Sequence, residues 1–233
     1  TISNVHWPSD TMGLLGLPLP GAEMKMVPVG EKMELRVRGP GITQGYLKNP
    51  EKTAEVFDDE GYYCLGDAVK FKNPDDPNEG LAFDGRIAEE FKLSNGTWVS
   101  AGTVRVKAVE AVDGALSDVV VCGLNREEIA LLGFLNESWC RRKTGRNVPL
   151  EELATDEQVR TAVKDGLLDY NRKHPNAAAR VARILLQKDM PKADAGEITE
   201  KGYINQGKVQ ALRAGDVERL FAKQPDAEII EIK

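Results

Sequence analysis

The chain has only two histidines, His6 and His174, in 233 residues. They stand far apart, so a metal centre built on them has little support. It has only three cysteines, Cys64, Cys122 and Cys140, odd in number and widely spaced. That pattern gives neither a disulfide framework nor a metal-ligand spacing, and it points to a reducing, cytoplasmic setting. There is no excess of positive charge: the formal net charge is -6 and the isoelectric point is near 5.2. A broad nucleic-acid footprint needs a basic face, and this balance excludes one. Any anionic ligand must therefore be held by a few placed groups. Long apolar runs are missing too, so no membrane partner is expected. Residues 1–8 carry neither a basic flank nor an apolar signal core, which argues against export. There is no initiator methionine either, and the chain reads as a fragment of a longer protein.

What is present is a globular composition, 41% hydrophobic and 29% charged, over a length that suits one large domain or two ordinary ones. From Gly13 to Phe83 the sequence is rich in glycine and proline, with short alternating runs. Glu34-Leu35-Arg36-Val37-Arg38 alternates as a half-buried strand does, and Gly21 to Val27 does so more loosely. Pro28 to Lys32 reads as the turn between them. Pro50 to Phe57 predicts a short helix with proline in its first turn. Asn73 to Gly80 is an acidic, turn-forming loop ahead of a strand at Leu81-Ala82-Phe83. Further on, Phe91–Ser94 and Thr97–Ser100 flank Asn95-Gly96, the strongest local hairpin signal, because both turn residues tolerate positive φ. Ser117–Leu124 and Ile129–Leu135 predict buried strands around a turn at 125–128. Thr155-Asp156-Glu157-Gln158 reads as a capping box. It opens a helix whose Val159, Val163, Leu167 and Tyr170 recur on one face. Val181–Gln187 fits a strand or a buried helical turn, and Asp216–Ala222 a closing helix. With no βαβ regularity, the second half is α+β.

Two residues invite a chemical reading on their own. Asp67, after Gly66, is an acceptor-only carboxylate able to receive both hydroxyls of a ribose in a fork. Arg86, after Gly85, offers rigid paired donors suited to ribose oxygens or phosphate. Each has a plainer alternative. Gly-Asp is a common turn, and Arg86 can be a surface ion pair with Asp84 or Glu89, worth little.

The wider context is more specific. Gly39-Pro40-Gly41-Ile42-Thr43-Gln44-Gly45-Tyr46, Pro50-Glu51-Lys52-Thr53, Phe57, Gly61-Tyr62-Tyr63, Gly66-Asp67 and Gly85-Arg86 follow in order. That series resembles the carboxy-terminal half of the acyl-adenylate-forming enzymes, the superfamily of acyl-CoA synthetases and aryl-CoA ligases. The wording of Glu89 to Ser100 and of Gly196 to Gln206 is similar to the feruloyl-CoA synthase branch. The resemblance runs from about Gly13 to Leu220.

It implies an α+β fold: a small β-rich, distorted barrel-like subdomain over residues 1–86, then a mobile α+β lid over 87–233. Composition alone would put the boundary in the acidic loop. The resemblance implies that Asp67 and Arg86 bind nucleotide, and that Glu89 is the hinge, where relatives usually carry aspartate or lysine. It implies that Lys92 and Gly96 belong to a loop flanking a CoA tunnel. Trp98 is read as hairpin core. Relatives place a catalytic lysine after a glycine near the end of the chain. Here Gly196 is followed by Glu197, the wrong sign, and the role is carried to Lys201, with Lys192 the weaker alternative. A surface lysine paired with Glu197 explains Lys201 equally well.

The implied activity is ATP-dependent activation of ferulate or a related hydroxycinnamate as acyl-AMP, then transfer to CoA. ATP, magnesium and CoA are the implied cofactors. The implied partners are these small molecules and the amino-terminal remainder of the same enzyme, with a homodimer left open. The family's glycine- and serine-rich phosphate loop and most of its acid pocket are not in these residues, so the chain alone is expected to be inactive. Two alternatives stay open: the adenylation part of a carboxylic acid reductase or another aryl-acid adenylating enzyme, and a non-catalytic isolated lid or binding module.

Overall fold

The computed structural model describes residues 2–3, 13–30 and 32–233, and of residues 2, 3 and 88 the backbone alone. Of the amino-terminal stretch, Thr1 and residues 4–8, His6 among them, lie outside the described residues, as does Glu31 of the 28–32 turn. Two compact units divide the chain, Thr1–Glu89 and Glu90–Lys233. The sequence reading places that division after Arg86; the short 3-10 turn Ile87–Glu89 clusters with the first unit.

In the first unit, β1 (Ile2–Ser3), β2 (Leu14–Pro18), β3 (Glu23–Val29) and β4 (Lys32–Arg38) share a sheet with β5 (Tyr63–Phe71) and β6 (Leu81–Arg86). The order is β1-β2-β6-β5-β4-β3, each neighbour antiparallel. The sheet is open. Among the described residues the edge strands β1 and β3 do not pair, so the barrel-like closure that the resemblance implies is not seen there. Alternation along β4 places Leu35 and Val37 on the face that packs with Val69 and Leu81, and this small cluster is the unit's core. Helix α1 (Pro50–Glu55) is capped by Asn49, whose side chain accepts from the Lys52 amide, and Pro50 occupies its first turn.

The second unit opens with a hairpin of β7 (Glu90–Lys92) and β8 (Trp98–Ser100). Pairing stops at Lys92↔Trp98, and the Leu93 amide donates to the Thr97 carbonyl, leaving a three-residue loop. Only Gly96 has positive φ, +84°. The turn is thus a type I turn closed by a glycine bulge, not the two-residue form that needs positive φ at Asn95 as well. Helix α2 (Ala101–Ala111) follows. The main sheet holds β9 (Leu116–Cys122), β10 (Ile129–Leu135), β11 (Val181–Leu186) and β12 (Ile229–Glu231) in the order β12-β11-β10-β9. β10 and β11 run parallel. A parallel pair needs a long crossover, here α3 (Glu137–Thr144), α4 (Leu150–Thr155) and α5 (Glu157–Lys173).

Both faces of this sheet are covered, which is why every residue of β10 is buried. Val119, Val121, Leu131 and Ile184 face α2 and the Val159-Val163-Leu167-Tyr170 stripe of α5. Val120, Leu132, Phe134 and Leu185 face Val209 of α6 (Gln206–Leu212) and Leu220 of α7 (Ala214–Leu220). Val181–Leu186 is the strand of the two forms considered. The capping box is corrected: Asp156, not Thr155, caps α5, its side chain accepting from the Gln158 amide, while Thr155 ends α4. No helix among the described residues is long and apolar enough to cross a membrane.

Candidate functional site

Asp67 sits where β5 loses register with both neighbours. Its pairing with β4 shifts between Glu34↔Ala68 and Arg36↔Cys64, and its pairing with β6 shifts after Asp67↔Arg86. Gly66 takes φ +69°, a conformation cheap only for glycine, at the centre of this irregularity. A bulge of this kind re-aims the side chain beside it. Asp67 and Arg86 become register partners on adjacent strands, with Arg86 Nε 3.4 Å from Asp67 Oδ1. Asp84, the plainer partner for Arg86, pairs instead with Lys70 at 2.9 Å and with Lys32 at 3.7 Å.

The electrostatics of the pair are unbalanced. The Asp67 side chain is 29% exposed and that of Arg86 57%. Asp67 Oδ1 is buried, yet it accepts no hydrogen bond among the described residues. At 3.4 Å the guanidinium attracts that oxygen without closing a well-formed bond. Leaving a buried acceptor in this state costs about 1–3 kcal/mol. A ligand hydroxyl donating to Oδ1 recovers that cost, and Arg86 retains free donors for a second oxygen. Glu89 closes the 3-10 turn at the end of the first unit.

In the second unit, the hairpin is tied by backbone bonds to the turn after β9. The Ser94 amide donates to the Arg126 carbonyl, and the Asn125 amide to that of Lys92. Lys92 Nζ rests 4.7 Å from the centre of the Trp98 ring, a cation–π contact. Trp98 is half-buried, so its reading as core is corrected: Leu93 and Val99 fill the hairpin's core positions. A Cβ at Gly96 would meet nothing within 4 Å, so its requirement for glycine comes from φ alone.

The closing loop forms a second small hairpin. Ile198 and Ile204 bridge, the Thr199 amide donates to the Tyr203 carbonyl, and the Gly202 amide to that of Thr199. Gly202 has φ +80°. Lys201 is therefore at an exposed turn tip beside it. The proposed pairing of Lys201 with Glu197 does not occur. Glu197 is 3% exposed and is held by Arg213, Nε to Oε1 at 2.7 Å and Nη2 to Oε2 at 3.0 Å. Lys192, the weaker alternative, lies 3.5 Å from Asp189, and its amide donates to Glu197. Arg213 had no sequence signal: it lies sixteen residues from its partner and follows an ordinary helix.

Among the described residues no three His, Cys, Asp or Glu side chains gather in a group that could hold a metal ion. The described residues thus offer no protein cage for magnesium, which commonly rides on nucleotide phosphates.

No family model matches the chain. It is 27% identical over 230 residues to long-chain-fatty-acid–CoA ligase 1 of Cavia porcellus, covering 92% of this chain and 32% of that protein. It is 25% identical over 201 residues to carboxylic acid reductase of Segniliparus rugosus, covering 86% of this chain and 16% of that protein. The solved A domain of the Segniliparus rugosus reductase, in complex with AMP and a co-purified carboxylic acid, superposes with TM-score 0.68 at 24% identity. That match covers 86% of this chain and 31% of the solved one. In sequence the chain is thus similar to members of the adenylate-forming, acyl-CoA ligase superfamily. Its α+β fold matches the carboxy-terminal part of the superfamily's adenylation domains. The chain spans about a third of the length of the ligase it resembles.

Proposed function

We propose that the chain is the carboxy-terminal portion of an ATP-dependent, AMP-forming acid–thiol ligase, and that Asp67 and Arg86 grip the nucleotide ribose. The observation that carries this reading is the pair itself: a buried carboxylate oxygen lacking a donor, 3.4 Å from an exposed guanidinium, on a bulged strand. Two ribose hydroxyls supply what that arrangement lacks.

In the complete enzyme the acid's carboxylate attacks the α-phosphate of ATP, forming the acyl-adenylate as pyrophosphate leaves. The CoA thiol then displaces AMP to give the thioester. The chain's own part is positioning and charge neutralisation. Asp67 and Arg86 orient the ribose, Lys201 faces the charge developing on the phosphate, and Glu89 is the residue about which the second unit turns. Lys92 and Gly96 border the path of the CoA arm. The wording around Glu89–Ser100 and Gly196–Gln206 favours ferulate or a related hydroxycinnamate as the acid. The similarity to carboxylic acid reductase supports a second reading, in which the acyl-adenylate is passed to a carrier-bound thiol rather than to free CoA.

Calorimetric titration of the 233-residue chain with AMP and with its 2′,3′-dideoxy analogue tests the ribose grip. AMP is expected to bind more tightly, and Asp67→Asn to abolish the difference. Equal binding of both nucleotides would remove the basis of the assignment.

A further inference from the structure

Glu197 stands directly after Gly196, where a cation is expected in relatives, and it is one of the few buried charged residues of the described chain. Its partner Arg213 is largely covered, its side chain 10% exposed, and follows the last residue of α6. The guanidinium gathers the loop from both sides. It donates to Gln187 Oε1 at 2.6 Å and Asp189 Oδ1 at 2.7 Å where the loop leaves β11, and to both oxygens of Glu197 at its middle. Its face lies 5.0 Å from the Phe134 ring centre. Burial alone would lower the guanidinium's affinity for its proton; Glu197 and Asp189 outweigh this and hold it above the usual range. The loop's other foot is fixed separately. The Asn205 amide donates to the Glu197 carbonyl. The Gln206 side chain accepts from the Val121 amide at 2.9 Å and donates to the Val119 carbonyl at 3.0 Å, pairing with the edge strand β9. Lys201 is at the tip of the hairpin that springs from these two feet.

We infer that Glu197 and Arg213 are positioning residues whose forked pair sets the place of Lys201 by locking the base of the 198–204 hairpin. The inference deepens the proposed role of Lys201 and rests on it for its consequence. An inward-facing acid at 197 excludes that position from contact with substrate, and it makes the next accessible cation of the loop a fixed point rather than a swinging arm. A planar fork is what the geometry uses, so lysine at 213 cannot replace it.

The test is a distance measurement within the second unit, with no nucleotide present. Nitroxides are placed at Lys201→Cys and at Thr161→Cys, an exposed position on α5, in the full chain with Cys64→Ser. Cys122 and Cys140 are buried, with thiols pushed up by burial to about 12 and about 11, and stay unlabelled at neutral pH. Pulsed electron resonance is expected to give one narrow distance in the parent chain. Glu197→Gln and Arg213→Lys are each expected to lose that single distance while far-ultraviolet dichroism stays native. Where Glu197→Gln fails to fold, Glu197→Asp, which keeps the charge but shortens the reach, is expected to do the same. An unchanged narrow distance in folded variants of both residues would overturn the inference. That result would leave the ribose reading untouched, since no step of the measurement involves adenylation.

Discussion

Gly166 lies inside the 17-residue helix α5, where replacing glycine by alanine ordinarily helps. The expected gain is about 1 kcal/mol, from the restricted unfolded backbone and better helix propensity. Here the neighbourhood reverses the sign. A Cβ at position 166 would stand 2.5 Å from the Ala111 carbonyl oxygen and 2.9 Å from Val112 Cα, both backbone atoms at the end of α2. Neither can rotate aside, so α5 must lift from α2. Overpacking of this kind costs about 1–3 kcal/mol, and contact with rigid backbone sets the upper end of that range. Gly166→Ala is therefore expected to destabilise the second unit by about 2 kcal/mol. Among the described residues six of the seven α-helices lie in that unit, so dichroism at 222 nm during urea unfolding reports on it. With a slope of about 2 kcal/mol per molar, the midpoint should fall by about 1 M. A midpoint that rises, as helix propensity alone requires, would refute the close approach of the two helices.

The Glu197–Arg213 pair carries a pH signature. Arg213 holds the Glu197 carboxyl below its usual 4.5, outweighing the burial that would raise it. A depressed acid contributes stability that is fully present above its unfolded value and is lost as pH falls through the folded value. The melting-temperature gap between the parent chain and Glu197→Gln should thus be largest near neutrality and close below pH 4.5; a constant gap would contradict the pairing. Thiol accessibility offers an independent check. Cys64 is half-buried and should react with an aromatic disulfide in the native chain, whereas Cys122 and Cys140 should wait for denaturant. Fast reaction of all three would mean that the sheet of the second unit is not packed on both faces.

The elements legible in the sequence are those whose pattern had one physical cause. Ile129–Leu135 is an unbroken apolar run because both faces of β10 are covered. Val159, Val163, Leu167 and Tyr170 recur because one side of α5 meets the core. α2 was missed for a physical reason as well. Its buried positions are Ala101, Val104 and Ala108, small residues that mark no strong stripe, and no side chain caps its start. Three β-branched valines, at 104, 106 and 109, suit a strand as readily as a helix. At the candidate site, the order of motifs brought out Asp67 and Arg86, and Gly66 signalled the backbone irregularity that turns the acid. Nothing local signalled Arg213, because the clamp joins residues that meet only after α6 has folded against the sheet. Trp98 was read as hairpin core, yet it is half-buried and the Lys92 ammonium lies over its ring.

The ribose grip can be watched residue by residue through the backbone amides of the isotopically labelled chain as AMP is added. Saturable shifts are predicted to centre on Gly66, Asp67, Gly85 and Arg86 and to vanish in Asp67→Asn. Shifts of the same size elsewhere, with those four amides unmoved, would contradict the nucleotide site proposed for β5 and β6.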